Sequence, residues 1–133
     1  MWAVPGVDGH AYLGDVYSDA DIAKLLTDLG SGDSSVRALA ADTAGDGISG
    51  WGQHGYADGQ AARIAHALVD ALAVETDDVA REAVLHTLAE FVAWDLAPAA
   101  AVSRALDLPR SPQNGLQEYW RELEDWAGWR RAT

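Results

Sequence analysis

The chain has 133 residues, a net charge of −12 at pH 7 and no cysteine. That length predicts one domain, 1–133, and the lack of cysteine excludes disulfides and thiolate metal sites. Nothing at the N-terminus resembles a signal peptide, and no apolar stretch approaches the roughly 20 residues that span a bilayer. We therefore expect a cytoplasmic protein that binds neither nucleic acid nor membranes, because both need basic surfaces.

The acidic charge is unevenly distributed and bears on the choice of partner. Residues 1–58 carry a net charge of −7, residues 59–97 carry −5, and residues 98–133 are neutral. A basic protein is the natural partner of such a chain, although an acidic surface also serves solubility alone. Only one lysine accompanies eight arginines, a bias that suggests a GC-rich bacterial genome.

Two segments lack the periodicity of regular structure. Residues 1–17 contain one proline and three glycines, which predicts an irregular N-terminal arm that packs over one end of the domain. Residues 47–59 are a glycine-rich loop that lacks the strand and the Lys-Ser/Thr of a phosphate-binding loop. We expect the aromatic side chains of this loop to be buried or to contact a partner.

The other segments repeat apolar residues every three or four positions, which predicts about six helices and no strand. Residues 18–46 form a first helix pair, in which Ser18 begins the first helix with a capping box and Gly30 ends it. The second helix of this pair runs from Ser34 to about Ala44. Its apolar residues are Val36, Leu39 and Ala40.

The second half of the chain continues the helical pattern. Residues 60–97 form a second helix pair joined by an acidic turn at Asp77, where a carboxylate begins the later helix. Residues 98–133 contain a short helix from Ala99 to Leu106, which Pro98 begins, and a longer helix from about Leu116 to Arg130.

The two helix pairs are copies of one pattern. Residues 22–28 (IAKLLTD) match residues 64–70 (IAHALVD), and residues 33–37 (DSSVR) match residues 77–81 (DDVAR). The offset between the copies is 42 in the first match and 44 in the second. A period of this size with two helices per unit falls in the range of HEAT and armadillo repeats.

The pattern resembles the bacterial HEAT-like repeat, in which an Asp in the turn and an Arg on the second helix stack one unit on the next. The matching residues are Asp33 with Arg37 and Asp77 with Arg81. The resemblance implies antiparallel hairpins stacked as a short right-handed solenoid. An ordinary helical bundle is the alternative.

The order of acidic hairpins, a short proline-started helix and a terminal helix containing EYWRELEDW is similar to that of small bacterial immunity proteins. This resemblance implies direct, stoichiometric binding of a cognate toxin, with no catalysis and no cofactor. Two alternatives remain: a HEAT-like adaptor or regulatory scaffold for another protein, and a metal-dependent enzyme.

Two histidine–carboxylate pairs have the i, i+4 spacing that metal sites on helices use: His66 with Asp70, and His86 with Glu90. Both pairs point away from the apolar face of their helix, and in a stacked hairpin these faces lie on opposite surfaces. We therefore expect two solvated faces and no metal site. The chain also has no Gly-x-Ser-x-Gly elbow and no Cys–His pair, so no nucleophile is predicted.

In HEAT-like stacks the second helix of each unit lines the surface that binds partners. The outward residues of the later copy are Glu82, His86 and Glu90, and the repeat offset adds Asp42 and Asp46. Our hypothesis is that this acidic strip covers the basic active site of a nuclease toxin in place of its phosphates. A charged face that only meets solvent is the alternative.

Tryptophans are the second kind of candidate contact, because aromatic anchors supply much of the binding energy of interfaces. Of the six tryptophans, most are expected in the core. Trp51 and Trp94 are the candidates for partner binding, and Trp129 is a third candidate for exposure.

Overall fold

The computed structural model describes residues 17–48, 54–57, 59–110 and 115–132. These residues form six α-helices and no strand, apart from one isolated antiparallel bridge between Ile48 and His54. This confirms the predicted all-α class for the described part of the chain. The helices are α1 (Asp19–Leu29), α2 (Ser34–Asp46), α3 (Gln60–Val74), α4 (Asp78–Ala93), α5 (Ala99–Leu106) and α6 (Gln117–Ala132).

Local signals fix the helix starts where the sequence places them. Ser18 Oγ accepts from the Asp21 amide, and Asp21 Oδ2 accepts from the Ser18 amide, both at 3.1 Å, which completes the capping box before α1. Asp33 and Asp77 cap α2 and α4 through their carboxylates. Pro98 directly precedes α5, so its missing amide costs no helical hydrogen bond.

The helices pack in two rows. The odd-numbered helices contact one another in the order α1, α3, α5, and the even-numbered helices contact one another in the order α2, α4, α6. Each hairpin joins one helix of each row. Between the rows lies the apolar core, whose fully buried residues include Ile22, Ile64, Leu68, Val84, Leu88 and Phe91. Within the described residues, no helix is long and apolar enough to cross a membrane.

Helix α2 differs from the prediction in its length and in its buried face. It continues past Ala44 to Asp46 and buries Ala40, Ala41 and Ala44 against the core, whereas Leu39 is 67 % exposed. The predicted apolar face of α2 is therefore wrong at Leu39. Small side chains let α2 and α4 approach closely, and Thr87 of α4 donates a hydrogen bond of 2.9 Å to the Ala41 carbonyl.

The loop between α2 and α3 is anchored by Tyr56. Its side chain is 3 % exposed, lies against Tyr17 and Phe91, and donates a hydrogen bond to the Ala44 carbonyl. Gly47 lies directly against this ring. Of the predicted aromatic residues of the loop, Tyr56 belongs to the core, while Trp51 lies outside the described residues, as do Trp2, Tyr12 and Leu13 of the predicted arm.

Candidate functional site

The matched Asp and Arg residues occupy equivalent places in the two copies of the repeat. Asp33 accepts a hydrogen bond from the Ser35 amide, and Asp77 accepts one from the Ala80 amide, so both are helix caps. Each arginine donates to the carbonyl six residues before it: Arg37 to Ser31 at 2.8 Å and Arg81 to Glu75 at 3.0 Å. The local geometry thus repeats along with the sequence.

The two copies are joined by Glu75, which the sequence motif does not include. Arg37 Nε and Nη2 donate to its two carboxylate oxygens at 2.8 and 2.7 Å. The Glu75 side chain is fully buried and also accepts from the amides of Thr76 and Asp77. Hydrogen bonding by Arg37 holds the pKa of Glu75 below its usual range. This pair connects α2 of the first hairpin to the turn of the second.

The strongest concentration of acidic side chains lies on α4 beside α6. Glu82, His86, Glu90 and Trp94 follow one another at i, i+4 spacing, and we call these four residues the α4 stripe. The side chains of His86 and Glu90 are 51 % and 42 % exposed, and their nearest atoms, Nε2 and Oε1, are 3.9 Å apart. The stripe therefore faces solvent, and the His86 ring lies close to the Glu90 carboxylate.

Tyr119 of α6 lies at the centre of this acidic region. Its ring centroid is 5.4 Å from that of His86, with the planes inclined by 32°. Burial raises the pKa of the Tyr119 phenol, and the charges of Glu82, Glu118, Glu122 and Glu90 raise it further. Four carboxylates, two from each helix, thus act on one half-buried phenol.

The α2 residues of the predicted strip lie on the helix that packs against α4. Asp42 and Asp46 are exposed. The charge of Asp46 contributes to raising the pKa values of Tyr17 and Tyr56, in both of which burial is the larger cause. Gly45 of α2 lies close to the α4 stripe, because a Cβ atom at this position would be 3.4 Å from Glu90 Oε1.

The tryptophans divide between the core and the surface. Trp94 ends α4 and is 42 % exposed, and Trp129 on α6 is 60 % exposed. Trp120 is buried. Trp94 therefore adds an exposed aromatic side chain to the end of the acidic stripe.

The other histidine–carboxylate pair of the sequence, His66 with Asp70, binds an arginine. Arg104 of α5 contacts His66 Nδ1 at 2.8 Å with one terminal nitrogen and donates to Asp70 Oδ1 with the other. The pair therefore connects α3 to α5. Among the described residues, no group of three or more His, Asp or Glu side chains could hold a metal ion.

Sequence reasoning missed three residues of these arrangements: Glu75, Arg104 and Tyr119. Each acts on a helix or turn about 33 to 38 residues away in sequence. Of the three, only Glu75 could be found from the repeat, because the offset of 44 aligns it with Ser31. Nothing in the local pattern around Arg104 or Tyr119 names its partner.

Comparison of the chain with protein-family models, with curated proteins and with solved structures finds no match.

Proposed function

We propose that this protein is an immunity protein that neutralises a bacterial toxin by binding it directly through the acidic surface of α4 and α6. The observation that carries the proposal is the packing of α6 against α4, which places the Tyr119 ring on that of His86. Carboxylates of both helices act on the Tyr119 phenol. The net charge of −12 also supports the proposal. Such a surface attracts a basic partner over a distance and disfavours nucleic acid.

The architecture that we propose beneath this surface is a short, right-handed HEAT-like solenoid of three hairpins. Supporting it are the two rows of helices, the equivalent Asp and Arg contacts in both hairpins, and the Arg37–Glu75 link between them. In a solenoid each unit contacts its neighbours and leaves an extended surface free for a partner. The α4 stripe lies in the row of second helices, where such partners bind.

The proposed mechanism is occlusion. Carboxylates at the spacing of the α4 stripe take the place of substrate phosphates in the basic active site of a nuclease toxin. Trp94 supplies the apolar anchor that charge alone lacks, because binding energy concentrates in buried aromatic contacts. The protein's own groups need no catalytic role in this mechanism.

Co-expression tests the proposal. We expect the product of the neighbouring open reading frame to stop cell growth alone, and this protein to restore growth and to co-purify with it in a 1:1 complex. A neighbour that binds without being toxic would favour the adaptor alternative. Stoichiometric iron or zinc in the purified protein, with turnover of a substrate, would favour a metal-dependent enzyme.

A further inference from the structure

A groove between α1 and α2 has an apolar floor and leaves Leu39 exposed at the first hairpin. It has a volume of about 380 Å³, and Ile22, Leu25, Val36 and Leu39 are among the residues that line it. Leu39 is 67 % exposed although it belongs to a helix that packs tightly elsewhere. An exposed leucine over an apolar floor costs solubility and marks a surface that another chain can cover.

The rim of this groove is acidic. Asp21 and Asp28 of α1 line it, and the only lysine nearby, Lys24, is paired with Asp28 at 2.6 Å. Asp46 of α2 acts on both tyrosines at one end of the groove, Tyr17 and Tyr56. Of the side chains that line the groove, two are acidic and one is basic, a net charge of −1. An occupant with positive flanks is therefore favoured by charge.

Charge also weighs against the two occupants that the chain itself could supply. The first sixteen residues contain Asp8 and Asp15 and no lysine or arginine. A second copy of the chain would bring its own charge of −12. Either occupant places like charges next to one another, which disfavours association.

We propose that the α1–α2 groove is a second docking surface, separate from the α4 stripe, and that it binds a basic amphipathic helix of a partner protein. The apolar face of that helix covers Val36 and Leu39, and its arginines or lysines lie next to Asp21 and Asp28. Helix α1 is about 16 Å long, which matches three turns of a bound helix. This mode of binding uses apolar anchors at helical spacing, with charge setting orientation. It does not require the partner to be a toxin.

The test uses the full chain and a helical peptide of about 18 residues, with leucines on one face and arginines on the other. A second peptide carries glutamates in place of the arginines. We expect the arginine peptide to shift the amide resonances of Val36, Leu39 and Thr43 in two-dimensional NMR spectra, and the glutamate peptide to leave them unchanged. Leu39→Ser should lower the affinity for the arginine peptide by about tenfold or more, as the loss of an interface anchor does.

Val79→Ser is the matched control, because Val79 is 71 % exposed on α4 and does not line the groove. It should change the affinity by less than about twofold. In Glu82→Lys/Glu90→Lys, binding at the groove should persist even where the proposed toxin complex is lost, so the two proposals fail separately.

Three results would overturn the groove proposal. The first is resonance shifts confined to α4 and α6, which would make the peptide a mere counterion of the stripe. The second is a tenfold gain in the affinity of the Trp2→Ser/Leu13→Ser variant for the arginine peptide, which would make the N-terminal arm the occupant. The third is a wild-type dimer that Leu39→Ser converts to a monomer, which would make a second copy the occupant.

Discussion

Arg37 holds the buried carboxylate of Glu75 through two parallel hydrogen bonds of 2.8 and 2.7 Å, and this contact joins the two copies of the repeat. Its geometry is the bidentate arrangement that makes arginine–carboxylate pairs strong. The main-chain amides of Thr76 and Asp77 complete the coordination of the carboxylate. One charged side chain in a turn therefore helps to fix the relative position of the first and second hairpins, together with the packing of α2 on α4.

Removing the charge of Glu75 should destabilise the fold. Glu75→Gln keeps the size of the side chain but weakens its hydrogen bonds to a guanidinium, which should lower the free energy of unfolding by about 2 kcal/mol. Lys24→Gln, which breaks an exposed i, i+4 pair, should cost less than about 0.5 kcal/mol. Urea unfolding followed by circular dichroism measures both. Equal losses in the two variants would show that the Arg37–Glu75 pair has no special structural role.

The same pair predicts a dependence of stability on pH. The pKa of Glu75 in the folded state is lower than its ordinary value of 4.5. The folded state therefore binds the proton less readily than the unfolded state, and the pair stabilises the fold fully above pH 4.5. That contribution is lost as the pH falls through the folded pKa. The stability difference between wild type and Glu75→Gln should be constant at neutral pH and shrink in acid; a difference that grows in acid would contradict this assignment.

Gly47 should tolerate no side chain. A Cβ atom at this position would lie 2.5 Å from the Tyr56 hydroxyl oxygen and 2.6 Å from its ring carbon, and the ring is buried. Gly47→Ala should therefore lower the free energy of unfolding by about 1 to 3 kcal/mol through overpacking. Gly32→Ala is the control, because nothing lies within 4 Å of its Cβ position. If both variants unfold at the same temperature, Tyr56 does not occupy the place described.

Tyrosine titration tests the placement of the carboxylates. Glu82→Gln/Glu90→Gln should lower the pKa of Tyr119 but leave it above 10.0, because burial is the larger cause of its rise. Asp46→Asn should lower the pKa of Tyr17 and leave Tyr119 unchanged, since Asp46 acts on Tyr17. NMR of ring-labelled tyrosine resolves the individual phenols. A shift of the Tyr119 pKa in Asp46→Asn would contradict this assignment and show that Asp46 also acts on the α4 surface.

Helix positions followed from the sequence because their causes are local. The capping box at Ser18, the carboxylate caps at Asp33 and Asp77, and Pro98 before α5 act within one turn of the chain. The start of α2 at Ser34 and both ends of α5 match the prediction.

The sides on which helices pack depended on distant parts of the chain, which the sequence pattern does not report. Leu39 has the apolar character of a core residue, yet the three alanines on the neighbouring face of α2 allow the closer approach to α4, and Leu39 is left outside. Likewise, the acidic residues of α4 were identifiable, whereas their convergence on Tyr119 needed the position of α6.

We propose that the α4 stripe binds a basic protein partner. The decisive measurement is isothermal titration calorimetry of the product of the neighbouring open reading frame, the proposed toxin, against wild type and Glu82→Lys/Glu90→Lys. We predict a 1:1 complex whose affinity falls about 100-fold or more in this variant. Asp107→Lys/Glu124→Lys makes the same change of charge at exposed residues outside the surface and should cost less than about tenfold, mainly through slower association. An unchanged affinity in Glu82→Lys/Glu90→Lys, or equal losses in both variants, would contradict the claim.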